Sequence, residues 1–412
     1  MIGLENIVII GAGAAGLMAA GTALSFGKKV TVIEKNPRPA RKVMITGKGR
    51  CNLTNACSNQ EFLEAVVSNP RFLYSAINQF STYDTMDLFE NVLHIPLKIE
   101  RGNRVFPISD KAVDIVDALA FYGKDATFHY NTTCKSIVVE EGRVVGVVLS
   151  TGETIPASSV IVATGGVSYP TTGSTGEGLQ MAQDLGHTIT PLTPSLVPLV
   201  CHSTVCRDLM GLSLKNVTVT IKNNETGVAV FSELGEMLFT HFGISGPLIL
   251  SASAHLRPMK PNRYTCSIDM KPALDENQLD ARILRDFNEN LHKTLRNSLG
   301  KLLPAKMIPV MIKKAGISPD IKVHNITKEQ RHALVTAIKN FTLDIYGFRP
   351  IEEAIVTAGG VCVNQINPKT MESKLISNLY FVGEMLDVDA YTGGYNLQIA
   401  FATGYAAGVA AT

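Results

Sequence analysis

A short β-branched apolar run, Asn6-Ile7-Val8-Ile9-Ile10, ends in Gly11-Ala12-Gly13-Ala14-Ala15-Gly16, and a helical pattern of Leu17, Ala19, Ala20, Ala23 and Leu24 begins at once. No other feature narrows so far what the chain can fold into. A strand, a tight glycine turn and a helix N-terminus in succession leave free N–H groups that can hold a pyrophosphate. The next strand, Val30-Thr31-Val32-Ile33, ends at Glu34, eighteen residues past Gly16. A carboxylate there suits a ribose diol and leaves poor room for a 2′-phosphate. The expectation is a dinucleotide held by its adenosine half, contacted by Gly11, Gly13, Ala14, Ala15, Gly16, Glu34 and Lys35.

At 412 residues the chain exceeds one ordinary domain. A net charge of only +2 gives no global basic field that would point to nucleic acid, although a local basic groove stays open. No cleavable signal is read at the N-terminus, and the apolar runs are too short to cross a bilayer, so no membrane insertion is expected. Seven cysteines without regular spacing argue against a disulfide framework and for a reducing, cytoplasmic setting. With no CxxC and no HExxH, no metal site is expected.

Residues 61–93 and 110–122 read as amphipathic helices, and 126–155 as a small antiparallel sheet with a turn at Glu141-Gly142. Ser159-Val160-Ile161-Val162-Ala163 is a second buried-strand run, ending in Thr164-Gly165-Gly166. Past Pro194 the texture changes: 195–269 shows short alternating stretches, and 276–340 reads as helices with Leu279, Ile283, Leu284, Phe287 and Leu291 on one face. A third buried strand, Leu379–Val382, meets Gly383-Glu384, and a small-residue helix follows over Ala400–Ala411. The economical organisation is a dinucleotide domain in two parts, 1–190 and 351–412, split by an inserted region, 191–350. Three strands that end in small or acidic residues suit FAD, a long molecule met by segments far apart in sequence.

Three stretches then become specific: Arg41-Lys42 with Thr46-Gly47-Lys48-Gly49-Arg50-Cys51-Asn52-Leu53-Thr54-Asn55, Thr240-His241-Phe242-Gly243-Ile244-Ser245-Gly246-Pro247, and Thr392-Gly393-Gly394-Tyr395-Asn396-Leu397-Gln398. Arg104-Val105-Phe106-Pro107 and Thr357-Ala358-Gly359-Gly360-Val361 match more weakly. Together they resemble the signatures of the HI0933-like (YhiN/BaiN) flavoproteins, in the order that family shows and over almost the whole chain. The resemblance implies an α/β, Rossmann-like FAD-binding domain interrupted by an inserted β-barrel and an all-α subdomain at about 273–340. It also implies non-covalent FAD and a redox reaction on an organic substrate. Cofactor contacts are then expected at Arg41, Lys42, Thr46, Gly47, Gly49, Arg50, Cys51, Asn52, Thr164, Gly165, Gly383, Glu384, Gly393, Gly394, Tyr395, Asn396 and Leu397. Gly393 and Gly394 precede a helix, so their amides can stabilise negative charge on a reduced flavin ring.

Members of the resembled family are assigned to reduction of a steroid enone, to reduction of uracil in ribosomal RNA, and to oxidation of a small aminoketone. The favoured expectation is a flavin-dependent oxidoreductase that reduces an activated C=C bond. Uracil reduction in rRNA is one alternative, and an aminoketone oxidase using O2 is another. His241, Tyr391 and Tyr395 are the candidate proton donors. A second GxGxxG is missing, so NAD(P)H would bind transiently at the flavin face or a carrier protein would supply electrons. The nine Lys and Arg residues from Lys293 to Arg331 form a local positive excess that would suit an RNA substrate.

Overall fold

The computed structural model describes residues 6–411. They divide into two units: the described residues up to Ser195 together with those from Pro350, and Leu196–Arg349. Each has its own apolar core.

The first unit is built on a five-stranded parallel sheet in the order Leu379–Phe381, Ser159–Val162, Asn6–Ile10, Lys29–Ile33, Thr127–His129. Ile7, Val8, Ile9 and Ile10 are buried, as are Val160, Ile161 and Val162. That is why these strands read as unbroken apolar runs: a parallel sheet is covered on both faces. The helix Ala14–Ser25 follows the first strand, and the last helix, Tyr395–Ala410, packs directly on it. A side chain at Gly408 would come within 2.7 Å of the Ala19 carbonyl oxygen, so the small residues of both helices let their backbones touch. The unit also carries two three-stranded antiparallel sheets, Cys134–Glu140, Arg143–Leu149 and Thr154–Pro156, and Thr54–Asn55, Arg104–Pro107 and Leu97–Glu100, and a two-stranded one, Thr193–Ser195 with Val356–Ala358.

Several sequence expectations shift. The helix read over 61–93 is five short pieces, Asn59–Glu64, Pro70–Leu73, Tyr74–Gln79, Thr82–Asp87 and Leu88–Val92. A capping box of Ser58 with Glu61 starts the first piece just ahead of the run; inside it, Asn69 before Pro70 takes a left-handed φ of 53° and a second box, Ser81 with Asp84, starts a new helix. Thr127–His129 joins the parallel sheet beside Lys29–Ile33 and leaves the small antiparallel one. The last helix starts at Tyr395, five residues before Ala400.

The second unit carries a seven-stranded antiparallel sheet in the order Phe341–Ile345, Tyr264–Asp269, Ser213–Asn223, Ala229–Thr240, Gly243–Ser245, Leu199–Val200, Gly347–Phe348. Helices Glu276–Asn288, Met307–Lys314 and Lys328–Lys339 accompany it. Leu279, Ile283 and Phe287 are buried as their spacing demands, whereas Leu284 and Leu291 face solvent. Thr204–Asp208 and Pro247–Ser253 are helices inside the stretch read as all strand.

Candidate flavin cradle

Because the central strands run parallel, their carboxyl ends lie along one edge of the sheet, where ligands bind in open α/β folds. Gly11 donates to the Ile33 carbonyl at 2.8 Å and Ala163 to the Ile10 carbonyl at 2.8 Å, which fixes three strand ends side by side. Glu34 is buried at this edge. Its Oε2 accepts from Ala12 N–H at 2.8 Å, and its Oε1 accepts from Asn36 N–H at 2.8 Å and Asn36 Nδ2 at 2.7 Å. The carboxylate thus ties the glycine turn to the end of the second strand.

The glycines of the turn differ in what requires them. A Cβ at Gly16 would overlap the Gly11 carbonyl oxygen, so the fold itself forbids a side chain there. A Cβ at Gly13 would meet no protein atom nearer than 3.9 Å, and its φ of −78° suits any residue. Protein packing gives no reason for glycine at 13. Close approach of a pyrophosphate to the first turn of Ala14–Ser25 does, since no side chain caps that helix. The cradle therefore fits FAD.

Lys35 and Arg41 are committed to protein partners. Lys35 Nζ donates to Thr175 Oγ1 at 2.6 Å and pairs with Glu177 at 3.1 Å, while Arg41 Nη1 donates to Asn36 Oδ1 at 2.7 Å. Thr164 Oγ1 points to Met385 Sδ at 2.9 Å, and Gly165 faces Ser174.

The last strand of the sheet delivers Gly383-Glu384 to the same edge. Glu384 Oε2 pairs with Lys42 Nζ at 2.7 Å. Its Oε1 accepts from Thr357 N–H at 2.7 Å and Ser168 Oγ at 3.0 Å, and Lys42 Nζ also donates to Ser168 Oγ at 2.6 Å. Sequence reasoning chose Lys42 and Glu384 but missed Ser168 and Thr357. The Thr357-Ala358-Gly359-Gly360 match was the available signal for the latter.

The loop after Lys42 closes another flank. Thr46 Oγ1 donates to the Lys42 carbonyl at 2.9 Å. Gly47, Lys48, Gly49 and Cys51 all adopt left-handed backbone. Arg50, expected to face flavin or phosphate charge, instead bridges Asp110 (Nε at 2.9 Å) and Glu100 (Nη2 at 2.5 Å) and lies 4.3 Å over the Phe106 ring. Lys98 Nζ joins the network at 2.6 Å from Asp110. Hydrogen bonds from Lys98 and Arg50 hold the Asp110 carboxyl below its ordinary range, and the bond from Arg50 does the same for Glu100. Glu100, Asp110 and Lys98 carried no signal in the sequence. Burial pushes the Cys51 thiol up to about 12, which makes it a packed side chain and not a thiolate nucleophile.

This loop also meets the start of the last helix. With its amide oxygen turned to Gly394, Asn52 accepts from Gly394 N–H at 3.0 Å and donates to the Val105 and Thr54 carbonyls, each at 3.2 Å. Asn55 Nδ2 donates to the Gly393 carbonyl at 3.1 Å. Asn396 binds back on its own turn, accepting from Ala390 N–H at 3.0 Å and donating to the Ala390 carbonyl at 2.9 Å. Leu397 is half-buried beside it. Tyr391 and Tyr395, both half-buried, flank the Gly393-Gly394 turn, and the Tyr395 ring sits 5.7 Å from Phe62. His241 belongs to the second unit, exposed at the turn between Ala229–Thr240 and Gly243–Ser245, with its ring edge-on to Phe242.

Known proteins resemble this chain over most of its length. The model of the HI0933-like protein Rossmann domain matches residues 5–410. A ribosomal RNA dihydrouridine synthase of Haemophilus influenzae is 33% identical over 407 residues, covering 98% of this chain and 97% of that protein. A 3-dehydro-bile acid delta(4,6)-reductase of Clostridium scindens is 30% identical over 416 residues, covering 99% of each. Among solved structures, a 3-ketosteroid-Δ4-(5α)-dehydrogenase of Rhodococcus jostii RHA1 shares the fold, with a TM-score of 0.52 at 14% identity, covering 98% of this chain and 97% of that one. The chain therefore belongs to the HI0933-like family and is a flavin-dependent oxidoreductase whose cofactor is FAD.

Proposed function

We propose that the protein reduces a C=C bond conjugated to a carbonyl group. One observation carries this reading: relatives with different substrates, each similar along nearly its whole length, are named for saturating such a bond. Dihydrouridine forms when the ring C=C beside a uracil carbonyl is reduced, and a 3-dehydro steroid conjugates its Δ4,6 bonds to the 3-ketone. A small apolar enone is the favoured substrate here.

FAD, when bound and reduced, supplies a hydride to the carbon β to the carbonyl. The chain's own groups bind and orient around that chemistry. Glu34 would hold the ribose, and the N-terminus of Ala14–Ser25 would face the pyrophosphate. The N-terminus of Tyr395–Ala410 presents the positive end of its dipole beside the Gly393-Gly394 turn, where negative charge on a flavin ring would be favoured. Proton delivery to the α-carbon falls to Tyr391 or Tyr395 on that turn. NAD(P)H or an electron carrier would reduce the flavin.

The rRNA reading keeps support from charge. Residues 292–340 carry ten Lys or Arg against two Asp or Glu. Part of that excess is neutralised in place: Arg296 pairs with Asp320, Lys301 with Glu289 and Arg331 with Asp280. Lys293, Lys313, Lys322 and Lys328 stay exposed.

The test is anaerobic mixing of the reduced holoprotein with a 3-keto-4-ene steroid and, separately, with a uridine-containing rRNA fragment. Flavin reoxidation far above the buffer rate is expected, with deuterium at the β-carbon when the flavin N5 is deuterated. Reoxidation by RNA alone selects the rRNA reading. Oxidation of an aminoketone with O2 consumption, and none by either alkene, overturns C=C reduction.

A further inference from the structure

On the outer face of the second unit's sheet lies a recess of about 510 Å³ that the flavin chemistry does not use. Along Ser213–Asn223, Val217, Val219 and Ile221 point into the core, which turns Thr218 outward. Leu234, paired across from Thr218, stands beside it with 60% of its surface exposed. The strand bulges between Leu214 and Val217, where Asn216 takes a left-handed φ of 54°. The bulge carries Lys215 and Asn216 to the rim, a common way for a sheet to re-aim side chains.

The opposite wall is the turn Met270–Leu274. Lys339 pins it by donating to the Leu274 carbonyl at 2.6 Å and the Lys271 carbonyl at 3.2 Å, while pairing with Asp269 at 2.6 Å. The residues that line it thus include the apolar Leu234, Met270, Pro272 and Leu274 and two lysines, Lys215 and Lys271, and no Asp or Glu. Lys215 and Lys271 have no ion pair among the described residues. Asp269, just before the turn, is already engaged by Lys339. Burial and the Arg282 guanidinium lower the pKa of Lys271, as happens to an ammonium in a positive, partly desolvated place.

We propose that this recess binds a small organic anion with an apolar body, its charged head against Lys271 and Lys215 and its body along Leu234, Pro272 and Leu274. A bare anion leaves the apolar wall wet, and a neutral apolar molecule leaves Lys271 uncompensated. Only a ligand with both parts matches both walls.

The test is equilibrium dialysis of the full-length holoprotein against anilinonaphthalene sulfonate, an aromatic body with one sulfonate. A saturable site is expected, displaced by octanoate but not by inorganic phosphate at matched ionic strength. Lys271→Glu and Leu234→Asp should each weaken it roughly tenfold or more, the loss of one charge-assisted contact or of one apolar wall. Lys271→Arg should retain it. Unchanged flavin absorbance and thermal midpoint in each variant separate a lost site from a lost fold. Wild-type affinity in both weakened variants, no saturable binding at all, or displacement by phosphate as readily as by octanoate overturns the proposal.

Discussion

Two glycine turns meet helix N-termini in the first unit, one before Ala14–Ser25 and one before Tyr395–Ala410, and they use glycine for opposite reasons. At the first, Gly13 leaves a place no protein atom fills. At the second, Gly394 has φ +97°, a Cβ there would overlap the Thr54 backbone, and its N–H is taken by Asn52. The first turn is open for a ligand at Gly13, whereas Gly394 is held by its own chain, so the dipole of the helix that follows, and not the Gly394 amide, would act on a ligand there. Glycine spacing alone does not tell them apart; what the missing side chain would strike does. Gly16, inside the first turn, behaves like Gly394, so the difference runs through a single motif.

The strongest way to break this comparison is a pair of alanine substitutions three residues apart. Gly16→Ala drives a methyl into the Gly11 carbonyl in the core of the unit. It should cost about 3 kcal/mol or more, measured as denaturant unfolding of flavin-free protein. Gly13→Ala should leave flavin-free stability within about 0.5 kcal/mol of wild type. It should still weaken FAD at least tenfold, about 1.4 kcal/mol. Equal losses of stability in the two variants would end the distinction between a packing glycine and a ligand glycine.

What the sequence could announce follows the same line. The Gly11–Gly16 turn and Glu34 are legible because their geometry is local: eighteen residues of strand, turn and helix put the carboxylate on the turn. Glu384 was legible as an acid at a strand end, but its partners were not, since Lys42 lies 342 positions away. Thr127–His129 is three residues long, and its pairing with Lys29–Ile33 is decided by the sheet rather than by its own pattern. The pieces of 59–92 were hidden differently. Apolar periodicity continues across Ser81, and the capping box that restarts the chain there outweighs it. Arg50 looked like a phosphate or flavin ligand because its loop follows Glu34, a region that in the resembled FAD folds passes close to the ring and pyrophosphate. Only tertiary structure brings Glu100 and Asp110 to it.

At Gly394 the expected loss is one of stability. Asn52 makes three hydrogen bonds, one of them to the Gly394 N–H, so Asn52→Ala should cost about 1–3 kcal/mol for the polar groups it leaves unpaired. The loss should appear in flavin-free protein as well as in holoprotein. If Asn52 instead serves mainly as a flavin ligand, the variant keeps its flavin-free stability and loses only FAD.

The smallest expected effect is local, at the latch made by Arg50. Arg50→Ala removes the bridge from the Thr46–Asn52 loop to Glu100 and Asp110. Exposed ion pairs add little to global stability, so the thermal midpoint should barely move. Hydrogen exchange within the loop, corrected for intrinsic rate, should rise several-fold, because three exposed residues (Gly47, Lys48 and Gly49) have little else to hold them. Arg50→Lys should restore only part of the protection, since an ammonium cannot span both carboxylates as a guanidinium does. The pH dependence has a definite sign. Both carboxyls are held below their ordinary range, so the latch is complete above about pH 4 and is lost only as pH falls through their depressed values. Wild-type protection should therefore be flat from neutral pH down to about 5. Protection already lost between about pH 7 and 5 would mean that a histidine or the turn itself, and not these carboxylates, holds the loop shut.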